Sequence, residues 1–235
     1  MKRQPWFWPV KRFIKRISGK ELWLKTEVDY PLLESGGWLY IPELLGPDSI
    51  VYSLGVGDSI DFDLHLIERY SLTVHTVDPT PYSEEWMSSQ ELPPNLKFHS
   101  WAAAGEDGNL RLFRRISERG KKSKVMWTLE GRAGDDSEHI DVPAYTIRTM
   151  MEKLGHERVD LLKIDVEGAE YDILDSLAKA ERLPVQLLVE FHHRFPGIGK
   201  QRTAESIRML RGLGYQIFSI SETGREIGFV LNPES

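Results

Sequence analysis

Four short stretches of this 235-residue chain hold the residues best suited to chemistry. They are Gly55-Val56-Gly57-Asp58, then Asp78, then Asp165 with Glu167, and then Glu190 with His192. Each follows a short apolar run that reads as a strand. Ligands of an open α/β sheet sit beyond the carboxyl ends of its strands. Four strand ends that deliver acids therefore converge on one rim, and that rim suits a neutral or cationic ligand. Gly55 and Gly57 let the backbone approach a ligand closely. A dinucleotide turn would continue as G-x-G-x-x-G and leave a bare helix N-terminus for pyrophosphate. Here Ile60 takes the third glycine position, and Asp58, Asp61 and Asp63 crowd the turn. Asp61 and Asp63 fit simple helix capping, and the turn is expected to reject polyanions. Asp78 follows Gly57 by 21 residues, where an acid commonly grips a ribose diol. The plainer alternative is a helix cap before Pro79.

A ribose, no phosphate and a positive centre together describe S-adenosylmethionine. Asp165 and Glu167 would add negative potential near its sulfonium or ammonium. Methyl transfer is an in-line displacement that needs alignment more than covalent help. A hydroxyl acceptor is a poor nucleophile and benefits from a general base. The candidates are Asp165, Glu190, His192 and His193. Glu190 and His192 are two residues apart and share one side if the strand continues. The plainer reading of either histidine is a solvated loop residue. Asp165, Glu190 and His192 also have ligand types that suit a divalent metal such as Mg or Mn, although no spacing among them is diagnostic. Trp86, Trp101 and Trp127, with the charged loop Arg114 to Lys124, are candidates for the acceptor side. They read equally well as core tryptophans beside a solvated loop.

The elements that must position these residues alternate. Strands are expected at Ser49–Leu54, Leu72–Val77, Leu96–Ala103, Asp160–Ile164 and Val185–Phe191. Helices are expected at Ile60–Tyr70 (with Ile60, Leu64 and Ile67 on one face), Tyr145–Leu154, Glu170–Ala178 and Ala204–Leu213. Asn109–Phe113 and Val125–Glu130 read as a hairpin around the charged loop. Gln216–Ile220 and Ile227–Leu231 read as an antiparallel hairpin at the sheet edge. Apolar strands alternating with helices indicate an α/β fold, with a mostly parallel sheet covered on both faces.

Composition narrows the function classes. The chain lacks cysteine, which excludes disulfide scaffolds, thiolate metal sites and thiol catalysis. No apolar run approaches the roughly 20 residues of a membrane-spanning helix. Residues 1–20 carry seven bases and no acid, leaving 23 bases against 36 acids in the remainder. So acidic a body argues against a nucleic-acid partner. The division expected is a basic aromatic arm over residues 1–35 and a single domain over 36–235. Within residues 1–20, Trp6, Phe7, Trp8, Phe13, Ile14 and Ile17 lie among the bases. That arm either packs on the acidic body over the site mouth or contacts an anionic membrane peripherally. The expected location is cytoplasmic, with the membrane surface as the variant.

Leu162-Lys163-Ile164-Asp165-Val166-Glu167-Gly168-Ala169-Glu170-Tyr171 resembles the signature of FkbM-type S-adenosylmethionine-dependent methyltransferases. Three further stretches agree: Val51 to Asp58 running through Phe62-Asp63, Val74 to Thr80, and Val142 to Ile147. The resemblance implies a class I methyltransferase-like, Rossmann-like fold and O-methylation of sugars, glycans or natural-product hydroxyls. Carried over, Gly55, Gly57 and Asp58 form the cofactor loop and Asp78 holds the ribose. Asp165 and Glu167 lie where cofactor and substrate meet, and Trp101 to Gly105 fall near the adenine. Asp58-Ser59-Ile60-Asp61 replaces the glycine-richer, Asn-containing loop of many members. Two other readings compete. A nicotinamide-dependent oxidoreductase or epimerase would need a complete G-x-G-x-x-G and usually a Tyr-x-x-x-Lys pair, and neither is present. A non-catalytic, methyltransferase-like binding module would not need every strand-end acid.

Overall fold

The computed structural model describes residues 17, 21–57, 59–116, 122–128, 139–195 and 197–232. In chain order the first elements are β1 (Leu33–Ser35), β2 (Trp38–Tyr40), β3 (Ile50–Leu54), α1 (Asp61–Tyr70), β4 (Thr73–Val77), α2 (Pro81–Ser88) and β5 (Leu96–His99). Next come β6 (Ala102–Ala103), β7 (Gly108–Ile116), β8 (Lys122–Thr128), β9 (His139–Tyr145), α3 (Ile147–Leu154) and β10 (Leu161–Ile164). The chain closes with α4 (Glu170–Leu177), β11 (Gln186–Glu190), α5 (Gly199–Gly212), β12 (Tyr215–Ile220) and β13 (Glu226–Leu231).

Seven strands form the central sheet in the order β12-β13-β11-β10-β3-β4-β5. The five from β11 to β5 run parallel, and β13 is antiparallel to both its neighbours. This is the mostly parallel sheet with an antiparallel C-terminal edge hairpin that the sequence predicts. Parallel strands are covered on both faces and so read as apolar runs. Helices α3, α4 and α5 bury Met150, Ile173, Leu174, Leu177, Ile207 and Leu210 on one face. Helix α1 and the β1–β2 hairpin bury Phe62, Leu66, Trp38 and Tyr40 on the other. Gln186, a buried polar residue in β11, closes two hydrogen bonds with the backbone of Ile41 and locks that N-terminal segment down.

The order of strands reverses between β3, which leads outward to β4, and β10, which leads outward the other way to β11. That switch point is where an open sheet forms its crevice. A second sheet, ordered β6-β9-β7-β8, supplies Leu110, Leu112 and Trp127 to the crevice wall.

Several elements differ from expectation. Leu96–Ala103 is two strands, because the chain leaves the large sheet after His99 and joins the small one at Ala102. β9 carries Pro143 and alternating polar residues, and its pairing with β7 and β6 comes from tertiary contacts. Helix α3 starts at Ile147, after Thr146, whose hydroxyl accepts from the Thr149 N–H. In α1 the sheet-facing stripe is Phe62, Asp63 and Leu66, whereas Leu64 is 36% exposed. Ile60 precedes the first helical turn, so the stripe through Ile60, Leu64 and Ile67 is not the core face. Residues 1–16 and 18–20 lie outside the described residues, as do Asp58 and residues 117–121 of the charged loop. No helix among the described residues is long and apolar enough to cross a membrane.

Candidate active site

Gly55 follows β3 with φ +86° and donates its N–H to the Val77 carbonyl at 2.9 Å. Gly57 follows at φ +59°. The Val56 N–H donates to Asp78 Oδ2 at 2.9 Å. Asp78 Oδ1 accepts from the Thr80 N–H at 2.9 Å and the Thr80 hydroxyl at 2.7 Å. Asp78 therefore ties the glycine turn to the start of α2. It is not itself the helix cap: Thr80 caps α2 and Pro81 is its first residue, so Pro79 is outside the helix. Carboxylate oxygens each have two lone pairs, so Oδ2 keeps one for a ligand.

The next strand end comes from β10. Asp165 donates its N–H to the Leu54 carbonyl at 3.0 Å, beside Gly55. The turn after it holds Glu167 at φ +49°, a left-handed conformation that a residue with Cβ adopts at a cost. Glu170 holds this turn. Its carboxylate is fully buried and accepts from the Gly168 N–H at 2.8 Å and the His192 N–H at 2.7 Å. Sequence reasoning placed Glu170 only at a helix start, but here it bolts the β10 and β11 loops together.

Asp165, Glu190 and His192 come together, with one ligand atom from each within 4.8 Å of the others. His192 is 3% exposed, and its Nε2 lies 3.9 Å from both Glu167 Oε2 and Glu190 Oε1. Burial works against an imidazolium there, but Glu170, Glu167 and Glu190 hold the His192 pKa above its usual value. Burial, then the charge of Asp165, pushes Glu190 up to about 7. Arg225 opposes that rise, its Nη1 lying 2.5 Å from Glu190 Oε1. His193 turns away to the buried Glu21, Nε2 to Oε1 at 2.8 Å, so it is neither a base nor a solvated loop residue.

A cavity of about 300 Å³ lies over the switch point. Gly55, Gly57, Asp78, Asp165 and Glu167 line it, with Ala102, Ala103, Leu110, Leu112 and Trp127 forming an apolar wall. Of the three candidate tryptophans, only Trp127 lines it. Trp101 stacks on His99, and Trp86 packs against the Val56–Met87 cluster. Asp63, which the sequence reads as a helix cap, and Lys163, to which it assigns no role, also line it. Asp63 is a buried carboxylate accepting from the Thr76 hydroxyl at 2.9 Å, not a solvated helix cap. The signal for Lys163 was a charge inside an otherwise apolar strand. Asp58, expected in the cofactor loop, lies outside the described residues.

A family model described as the methyltransferase FkbM domain matches residues 41–217. Among curated proteins no sequence matches the chain. Solved structures similar to the chain include the following three. A methyltransferase FkbM from Methylobacillus flagellatus KT is 8% identical, with TM-score 0.47 over 79% of this chain and 44% of that one. The chain thus spans less than half the length of that structure. The Methanococcus jannaschii fibrillarin pre-rRNA processing protein is 12% identical, with TM-score 0.47 over 89% and 86% of the two chains. A 16S rRNA adenine N1-methyltransferase mutant from Catenulisporales acidiphilia is 14% identical, with TM-score 0.35 over 87% and 99%. Likeness at this level carries no argument about activity, which has to come from the family match and the site itself.

Proposed function

The chain belongs to the FkbM methyltransferase family, and on that premise we propose that it binds S-adenosylmethionine over the Gly55 turn and methylates a hydroxyl of a sugar, glycan or natural product. The observation that carries this reading is the meeting of Asp165, Glu190 and His192, of which Asp165 lines the cavity and Glu190 and His192 stand behind it, outside its lining. The residues present fit the cofactor. Among the described residues nothing lies within 4 Å of where a Cβ on Gly57 would point, so there its backbone is open to a ligand. Asp78 keeps a lone pair for the ribose diol. Ala102, Ala103, Leu110 and Leu112 offer the apolar wall that an adenine ring needs. Bound there, S-adenosylmethionine supplies an electrophilic methyl group on a sulfonium that leaves as a neutral thioether.

The chain's own residues do the rest. Asp165 and Glu167 place negative charge beside the cation. Glu190, with a pKa raised to about 7, is matched to take the acceptor's proton near neutral pH. His192, whose N–H is held by Glu170, has its imidazolium favoured by the carboxylates of Glu170, Glu167 and Glu190. Family membership supports this reading over the nicotinamide alternative.

Differential scanning with S-adenosylhomocysteine, NAD and buffer tests the cofactor, since a ligand of the native state raises its stability by RT ln(1 + [L]/Kd). A shift with NAD and none with S-adenosylhomocysteine overturns the proposal. Transfer of a tritiated methyl group to a panel of hydroxylated glycans tests the acceptor class.

A further inference from the structure

Lys163 is the single cation among the described residues lining the cavity, against the carboxylates of Asp63, Asp78, Asp165 and Glu167. We propose that Lys163 receives the carboxylate of the cofactor's amino-acid end, and so selects a nucleoside that carries an amino acid over one that does not. This rests on the cofactor reading above.

Lys163 stands on β10 and Asp165 follows just past its end, two residues on, and both line the cavity. It is 6% exposed. Its Nζ donates to the Gly55 carbonyl at 3.0 Å and lies 5.4 Å from the Trp38 ring centroid. An ammonium has three donors, and the Gly55 carbonyl takes one. A buried charge needs a counter-charge. Asp63 is the acid that feels Lys163, yet burial works against its ionised form. The hydroxyls of Thr76 and Ser53 already serve its carboxyl group. The ammonium at the foot of the glycine turn is therefore left to meet an anion from the cavity side. Within an acidic rim that rejects polyphosphates, it admits one small anion at depth. An amino-acid zwitterion matches that layout, with its carboxylate on Lys163 and its ammonium toward the acids.

The alternative is that Lys163 only braces the Gly55 turn, and ligand chemistry separates the two. Isothermal titration would use S-adenosylhomocysteine, its decarboxylated analogue and 5′-methylthioadenosine, each with the wild type, Lys163→Met and Lys163→Arg. The wild type is expected to prefer S-adenosylhomocysteine over the decarboxylated analogue by about 10- to 100-fold, the range of a charge-assisted hydrogen bond. Lys163→Met should lose that preference while binding 5′-methylthioadenosine as the wild type does, and Lys163→Arg should keep most of it. A wild type that binds the decarboxylated analogue as tightly as S-adenosylhomocysteine overturns this inference alone, and that comparison needs no variant to fold. Equal weakening of all three ligands in Lys163→Met assigns the residue to bracing and overturns it too. A wild type that binds none of the three overturns the cofactor reading and this inference with it.

Discussion

Gly55 and Asp165 meet at the seam between β3 and β10, where a Cβ on Gly55 would fall 1.8 Å from the Asp165 carbonyl oxygen. No side chain fits in that gap, and the obstacle is backbone. The approach is what brings the glycine turn and the Asp165 turn to one cavity.

Gly55→Ala should therefore cost far more than Gly57→Ala. At Gly55 both the φ of +86° and the contact oppose a side chain, and a loss of about 3–5 kcal/mol is expected. At Gly57 no described residue meets a Cβ and the φ of +59° is what opposes it, so about 1–2 kcal/mol is expected. Urea unfolding of the two variants measures the difference. Equal losses would mean that the seam relaxes and does not hold the two turns together.

The seam was legible because its chemistry is local. Gly-x-Gly after an apolar run, and Asp-x-Glu-Gly after another, announce two strand-to-helix turns, and a parallel sheet joins them at the switch point. Glu190 and His192 were legible for the same reason, being two residues apart at a strand end. What escaped depends on contacts distant in sequence. Glu170 looks like an ordinary acid in a first helical turn, and its bond to the His192 N–H spans 22 residues. Asp63 looks like a cap until α1 is rotated so that Phe62 and Leu66 face the sheet. β9 alternates, with Ile140, Val142 and Ala144 turned inward, but Pro143 argues against a strand within the run, and the β1–β2 hairpin rests on the Gly36-Gly37 pair, both at positive φ, between two short strands.

Acid should destabilise the fold before most carboxylates titrate. His75 Nδ1 lies 3.0 Å from His99 Nε2, and the His156 ring is 4.6 Å from that of His75. Burial, then the neighbouring imidazoles, lowers His75 from 6.5 to about 4, and burial lowers His99 and His156 as well. These pKa values are depressed in the folded state, so the unfolded chain binds more protons between about pH 6.5 and 4. Stability is full above that window and falls through it. The Tm of the wild type should drop over this range, and that of His75→Phe should drop less steeply. Parallel profiles for the two proteins would count against the cluster as the cause.

Glu190→Gln should remove most methyl transfer, by about 10²- to 10⁴-fold in kcat, the usual contribution of a general base. In the wild type the rate should fall below about pH 7, because Glu190 must be ionised to accept a proton. Stability should move the opposite way. A carboxyl group whose folded pKa is raised stabilises the fold fully below its unfolded value and loses that contribution as pH rises through about 7. Glu190→Gln should thus gain stability over the wild type at pH 8, with the difference closing toward pH 4.5. An acid limb that persists unchanged in the residual activity of Glu190→Gln would assign the proton to another group.

Arg225 separates the acid–base reading from the metal reading of the same cluster. Its guanidinium sits 2.5 Å from Glu190 Oε1, where a divalent cation shared by Asp165, Glu190 and His192 would need an open carboxylate oxygen. A guanidinium already on this carboxylate repels a divalent cation brought to the same group, so the ion pair favours proton transfer. Arg225→Gln withdraws the cation that holds Glu190 down. The acid limb of the kcat profile should then move to higher pH, with little change at the alkaline plateau. Dialysis against EDTA should leave the turnover of the wild type unchanged. If EDTA abolishes activity and Mg or Mn restores it, Glu190 is a ligand and the base must be sought elsewhere on the rim.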